Sequence, residues 1–361
     1  MDIRSIDKNF ITTYEVPEDV EWFSIKENHS TIFGVNYSEE EKLYRRLPKE
    51  TADATNEGVA WLSKHTAGGR VRFETNSPYV ALYIRGVFEP PFAHMTMAGK
   101  AGFTLFTNGK FSGLYMPGYE TFVKGDPSLG GNGEISFGGV KYPFMEKEEP
   151  YQATVYMPLY NPVIEVLVGL KKGSILREAK PYKHSNPVLF YGSSITQGGC
   201  ASKAGDDYIN RLSRMLDMDY VNLGFSGSAK AEKVIAEYIA SQNPSVFVMD
   251  YDHNAPTAEH LRETHYSLYE TIRKVHPDTP IIFTTMPTIE TYENRPWYKE
   301  RRKEILDSFS RMKATGDKNV YFVDFYGCFG EVENGESGTV DDCHPNSLGF
   351  LRMAERMYPI L

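Results

Sequence analysis

Cysteine is scarce in this 361-residue chain, and a long apolar run is missing altogether. Cys200, Cys328 and Cys343 are odd in number and far apart, and no Cys-x-x-Cys pair occurs. Neither a zinc ribbon nor a disulfide framework is indicated, so reduced thiols in a cytoplasmic protein are the expectation. The opening MDIRSIDKNFITTYEV has no basic start followed by an apolar stretch, so it does not read as a secretory signal. Nothing approaches the ~18 apolar residues of a membrane helix, so no membrane partner is expected. Positive charge is in deficit: 39 Lys and Arg against 48 Asp and Glu give a net charge of -9. That balance repels nucleic acid and acidic membrane surfaces and favours a neutral or cationic partner. The nine histidines include no His-x-x-x-His or other ligand spacing, so no metal and no other cofactor is expected.

The composition, 41% hydrophobic and 24% charged, is that of an ordinary soluble globular protein. The length exceeds what one core serves comfortably, so two domains are expected. From residue 187 onward, short apolar runs alternate with amphipathic ones. The runs are VLFYG at 188–192, YVNLGF at 220–225, VFVMDY at 246–251, IIFTTM at 281–286 and VYFVDF at 320–325. Each has strand length and composition, and continuous apolar strands suit a parallel sheet covered on both faces. Between them, sets such as Tyr208, Leu212 and Leu216, or Leu261, Leu268 and Ile272, share a helical face. A last helix is expected from about Ser347 to Met357. This alternation predicts a three-layer α/β/α domain, whose ligand site lies at the carboxyl ends of the strands.

The first half reads as short strands (VRFET, VALYIRG, GFTLF, ISFGG, ATVYM and VIEVLVGL) parted by Gly, Pro, Asn and Asp clusters. Such a pattern suggests a β-sandwich. One short helix is expected in EEEKLYRRL, near residues 40–48. The boundary falls in KPYKHSNP, dividing the chain into residues 1–183 and 184–361. No internal repeat or low-complexity tract is present.

Three segments at strand ends carry chemistry. Gly192-Ser193-Ser194-Ile195-Thr196-Gln197-Gly198 follows the first strand of the second half. A serine at a tight strand-to-helix turn projects its hydroxyl above the sheet beside its own N–H, and the glycines permit the turn. Asp341-Asp342-Cys343-His344-Pro345-Asn346 precedes the last helix. A histidine there can reach the first strand's end, and an acid three residues earlier can turn back to hold the other ring nitrogen. Gly224 and Asn254 follow the next two strands. Both are uncharged amide donors suited to an oxygen that becomes negative only after attack.

The order Ser, Gly, Asn, His over these strand ends resembles the SGNH/GDSL hydrolase superfamily. The resemblance implies Ser194 as nucleophile, His344 as base and Asp341 as its acid partner. It implies an oxyanion hole of Ser194, Gly224 and Asn254. Two departures are visible: Ser193 stands where the family usually has Asp, and the surroundings of Asn254 differ from the usual Gly-x-Asn-Asp. The N-terminal half resembles the β-sandwich that precedes some bacterial carbohydrate acetyl esterases of the acetylxylan esterase kind. The implied architecture is a flavodoxin-like parallel sheet with an N-terminal jelly-roll-like sandwich.

The expected reaction is acyl transfer from a short ester, acetyl above all, on a sugar hydroxyl, with a small molecule or oligosaccharide as substrate. Among 24 Tyr, 21 Phe and 3 Trp, Trp297 in the polar loop Tyr292-Glu293-Asn294-Arg295-Pro296-Trp297 is the candidate substrate contact. Alternatives are a lipid-directed esterase or thioesterase on the same scaffold, or a sugar-binding protein with an inactive hydrolase domain. A homo-oligomer stays open.

Overall fold

The computed structural model describes residues 15–27, 32–143, 149–288, 295–330 and 337–361. The chain divides into two compact units that interleave in sequence. The first holds the described residues up to Arg46, Lys64–Pro181 and Lys203–Gly205; the second holds Leu47–Ser63, Tyr182–Ser202 and Asp206–Leu361. The sequence had suggested a single crossing at 183/184.

The first unit is antiparallel. Its strands are β1 Val20–Ser24, β2 Ile32–Phe33, β3 Asn36–Ser38, β4 Leu43–Arg45, β5 Arg70–Thr75 and β6 Val80–Val87. They continue with β7 Phe103–Thr107, β8 Lys110–Tyr115, β9 Glu134–Lys141, β10 Tyr151–Tyr156, β11 Val163–Lys171 and β12 Arg177–Glu178. One sheet runs β1-β11-β6-β9; the other runs β12-β5-β10-β7-β8, with β2 beside β5. Alternation does the rest: Val80, Leu82 and Ile84 of β6 and Val166, Val168 and Leu170 of β11 share one core with Val71, Phe73, Leu105 and Val155 of the other sheet. Asn108 and Gly109 join β7 to β8 with positive φ of 48° and 77°, the two-residue turn whose twist matches a hairpin.

Residues 40–48 correct one expectation. EEEKLYRRL forms no helix: β3 and β4 pair as a hairpin, and Lys42 turns the chain at φ 57°. Pro48 then opens the short helix α1, Lys49–Thr55, which is followed by α2, Glu57–Leu62. The side chain of Asn56 caps α2 by accepting from the Val59 N–H at 2.9 Å. Ala52, Val59 and Leu62 are buried in the core of the second unit. Two further short helices, α3 Met97–Lys100 and α4 Tyr119–Gly125, lie in the first unit.

Among its described residues the second unit has the strands β13 His184–Gly192, β14 Met218–Gly224, β15 Val246–Asp250, β16 Ile281–Thr284 and β17 Val320–Val323. All pair in parallel, in the order β14-β13-β15-β16-β17. The helices are α5 Ser194–Gln197, α6 Tyr208–Leu216, α7 Lys233–Ser241, α8 Ala258–Val275, α9 Pro296–Ala314 and α10 Ser347–Met357. One face of the sheet, with Leu189, Leu223, Phe247 and Phe283, packs Ile235, Leu261, Leu268 and Ile305 of α7, α8 and α9. On the other face, Tyr208 of α6 meets Phe190 edge-on and stacks on Phe350 of α10. The strand order places neighbours on both sides of β13, so the chain leaves β13 and β15 in different directions. A crevice at the carboxyl edge follows from that reversal.

Candidate active site

Gly192 ends β13 opposite Gly224 of β14 and Asp250 of β15, so three strand ends meet at one edge. The chain turns at once into α5. A Cβ on Gly192 would lie 2.1 Å from Thr196 Oγ1 and 2.4 Å from the Asp250 carbonyl, so only glycine fits. Ser193 Oγ accepts from the Ile195 N–H at 3.2 Å and caps α5.

The bracing of this turn comes from below. Asp250 is buried and accepts from Thr196 Oγ1, the Tyr208 hydroxyl and Thr284 Oγ1, each at 2.8 Å. Burial pushes its carboxyl above the ordinary value, while the three hydroxyl donors oppose that shift. A short apolar strand followed by Asp had not marked Asp250 as a site residue.

Ser194 is 8% exposed at the head of α5. Its Oγ lies 2.9 Å from His344 Nε2. On the far side of the ring, His344 Nδ1 lies 2.8 Å from Asp341 Oδ2. Asp341 Oδ1 accepts from the N–H groups of His344 at 2.7 Å and Cys343 at 3.2 Å, so one carboxylate shapes both loop and ring. Partial burial works against its charge, but the His344 N–H, the His344 ring and the Cys343 N–H hold the carboxyl below the usual carboxylate value. Asp342, the neighbouring acid, sits at φ 65°, where the loop turns sharply. Asn346 ends the loop and caps α10 by accepting from the Leu348 and Gly349 N–H groups at 3.0 Å.

The nearby thiols are poor nucleophiles. Burial pushes Cys200 up to about 12 and Cys343 up to about 11, with the charge of Asp341 adding to each. Cys343 Sγ rests 3.5 Å from His253 Nε2. Burial lowers His253 to about 4, so its ring is neutral at pH 7.

Gly224 and Asn254 fare differently. The Gly224 N–H donates to Asn222 Oδ1 at 2.8 Å and is therefore occupied. Its lack of a side chain serves packing, since a Cβ would lie 2.2 Å from the Gln197 N. Three residues on, Gly227 has φ 66°, open space around its Cα, and an N–H without a hydrogen-bond partner among the described residues. The same turn is held by Asn254 Nδ2, which donates to the Phe225 carbonyl at 2.7 Å, leaving its second amide hydrogen for another acceptor. Gln197 Oε1 also accepts from the Ser226 N–H at 3.1 Å. The structure thus ties α5, residues 225–228 and Asn254 together, and it moves the free glycine N–H from 224 to 227.

Trp297 lies in the first turn of α9, 38% exposed, rather than in a loop. Residues 292–294 of the expected loop lie outside the described residues. Arg301 stacks on the Trp297 ring and donates to the Ala255 carbonyl at 2.6 Å, which links α9 to the segment bearing Asn254.

A hydroxyl, an imidazole and a carboxylate aligned at the carboxyl edge of a three-layer α/β/α sheet are the components of serine-dependent ester hydrolysis. Residues 185–361 match the GDSL-like Lipase/Acylhydrolase family, and residues 20–176 match the family described as the N-terminus of Esterase_SGNH_hydro-type. The chain belongs to these SGNH/GDSL hydrolases and is a carboxylic ester hydrolase. No curated protein sequence matches it. Among solved structures, a candidate GDSL-like lipase from Bacteroides ovatus is 27% identical, with a TM-score of 0.80 over 94% of this chain and 96% of that one. A salicylyl-acyltransferase from a tetracycline biosynthetic pathway is 17% identical, with a TM-score of 0.72 over 96% and 98%. An acetyl xylan esterase from the rumen bacterium Butyrivibrio proteoclasticus is 15% identical, with a TM-score of 0.57 over 95% and 97%. Among the described residues, no helix is long and apolar enough to cross a membrane.

Proposed function

We propose that the protein removes short acyl groups, acetyl foremost, from the hydroxyls of a neutral carbohydrate through an acyl-enzyme on Ser194. The single observation that carries this reading is the relay Ser194 Oγ to His344 Nε2 at 2.9 Å and His344 Nδ1 to Asp341 Oδ2 at 2.8 Å. His344 takes the proton of Ser194 as Oγ attacks the ester carbonyl. Asp341 stays ionised, fixes the ring tautomer and stabilises the imidazolium. The oxyanion is received by the Ser194 N–H, the free hydrogen of the Asn254 amide and the Gly227 N–H. His344 then protonates the leaving alcohol, and water repeats the sequence on the acyl-enzyme. Trp297 is the candidate aromatic beside the leaving sugar.

The substrate class rests on two supports. A net charge of -9 suits a neutral substrate better than an anionic one. Fold neighbours named as an acetyl xylan esterase and as carbohydrate esterases make an acetylated sugar the ester to try first. The test is NMR of acetylated xylo- and manno-oligosaccharides with the parent protein and with Ser194→Ala. Loss of acetyl signals with the parent alone is expected. Turnover of octanoyl nitrophenyl ester well above that of the acetyl ester, with sugars untouched, would replace this reading with a lipid-directed one.

A further inference from the structure

We propose that the first unit carries a second carbohydrate site, on the outer face of the sheet β1-β11-β6-β9, for a neutral, unacylated oligosaccharide. The ligand class deepens the esterase reading above and depends on it.

Pair register defines the face. Trp22 of β1 lies opposite Gly169 of β11, which lies opposite Ala81 of β6. One row along, Leu167 lies opposite Tyr83, and Tyr83 lies opposite Gly138 of β9. Residues paired across antiparallel strands point to the same face, as do residues two apart. Trp22 and Tyr83 therefore share a face whose other side is the core. Both rings are more than a third exposed. Strand spacing and rise place their Cα atoms about 12 Å apart, too far for one sugar ring and suited to a chain.

Each ring has a glycine as its cross-strand neighbour. A Cβ on Gly169 would lie 2.8 Å from the Trp22 ring, so the indole lies against the sheet there. An aromatic over an edge glycine is also a way to stabilise an edge strand, and for Tyr83, opposite Gly138 of the edge strand β9, that explanation would suffice. It does not explain Trp22, whose glycine lies on the interior strand β11. Nor does it explain what the next row holds.

That row opens into a groove of about 550 Å3, lined by Lys26, Tyr37, Glu41, Arg85, Glu134 and Glu165. Arg85 sits between Glu134 at 2.9 Å and Glu165 at 3.6 Å. Lys26 reaches Glu39 at 2.8 Å and lies 4.3 Å above the Tyr37 ring. Cations and carboxylates thus alternate and neutralise one another, so the groove has no net pull on an anion. It offers part-exposed carboxylate acceptors and guanidinium donors side by side, which match the paired hydroxyls of a sugar. Flat rings leading into such a groove supply stacking along the chain.

The chain's three tryptophans, Trp22, Trp61 and Trp297, make the test direct. Ser194→Ala protein is titrated with xylohexaose, cellohexaose, mannohexaose and, separately, oligogalacturonate, while the indole N–H signals are followed by NMR. The expected result is that one neutral oligosaccharide moves the Trp22 signal. Trp22→Ala and Arg85→Ala should each weaken its binding about tenfold by calorimetry. The proposal is overturned if only the Trp297 signal moves, if no neutral oligosaccharide binds, or if oligogalacturonate binds best. Tyr83→Ala, read by calorimetry, repeats the test should Trp22→Ala fail to fold. The esterase reading fails by a different measurement, the absence of acetyl loss, so the two outcomes separate.

Discussion

The turn carrying Ser194 and the loop carrying His344 are held in opposite ways. The turn is buried and anchored from beneath by Asp250 through the hydroxyls of Thr196, Tyr208 and Thr284. The loop is surface-bound and folds largely around its own Asp341. Support for Ser194 is therefore part of the core, whereas support for His344 is local. Mutations beneath the turn should cost stability as well as rate, and mutations in the loop should cost rate alone.

The largest expected effect comes from removing the Ser194 hydroxyl, the proposed nucleophile. Ser194→Ala should lower kcat on 4-nitrophenyl acetate by about 10^4-fold or more and leave the melting temperature nearly unchanged. Comparable residual activity in the parent would favour an inactive hydrolase domain. Asp341→Asn comes next, with a loss of up to about 10^4-fold, because the ring loses its tautomer control. Asp342→Asn should stay within a few-fold of the parent. If Asp342 were the costlier change, the acid would be misassigned. Asp250→Asn sharpens the contrast: it should destabilise by about 2 kcal/mol, visible in urea unfolding, because a buried acceptor array loses its partner.

The oxyanion side is the third level. Asn254→Ala should lower kcat by about 10^2- to 10^3-fold with KM within a few-fold, since the charge it meets exists only after attack. Equal loss in KM would make it a substrate contact. The choice of glycine is tested by phosphorylating Ser194 with a nitrophenyl dialkyl phosphate, whose phosphoryl oxygen occupies the oxyanion position. The amide proton of Gly227 should shift downfield in the adduct, and that of Gly224 should stay put. The reverse would restore Gly224.

Much of this was legible in sequence where burial dictated residue type. VLFYG, VFVMDY and IIFTTM read as strands because both of their faces are covered. Ser194, Asp341 and His344 were legible because their spacing to strand and helix ends fixes where their side chains can go. Gly224 and Gly227 are hard to tell apart in sequence because one ends β14 and the other lies three residues beyond it. What separates them is the side chain of Asn222, which claims the N–H two residues on. An Asn at that offset is the signal that could have told them apart. EEEKLYRRL misled because its charges suit a helix, while pairing of β3 with β4 overrode propensity. Helices α1 and α2 are six or seven residues long and bury too few side chains to show a period.

The smallest expected effect lies where the loop meets the segment after β15, at His253 against Cys343. Its folded value of about 4 lies below the ordinary 6.5, so the unfolded chain binds more protons between those values. Stability then rises with pH across that window and is lost as pH falls from about 6.5 to about 4. Asp250 and Asp252, both raised by burial, bend the curve the other way, since their folded forms hold protons longer. The useful readout is therefore the difference between the parent and His253→Gln in urea unfolding at several pH values. The variant should gain about 1–2 kcal/mol relative to the parent at pH 4, less than full burial would give because the ring is part-exposed. A pH-independent difference would mean that the ring titrates alike in the folded and unfolded chains, so that burial beside Cys343 does not disfavour its charge. The ring would then carry its charge beside His344 below about pH 6.5, and the loop could not be treated as electrostatically separate from the segment carrying Asn254.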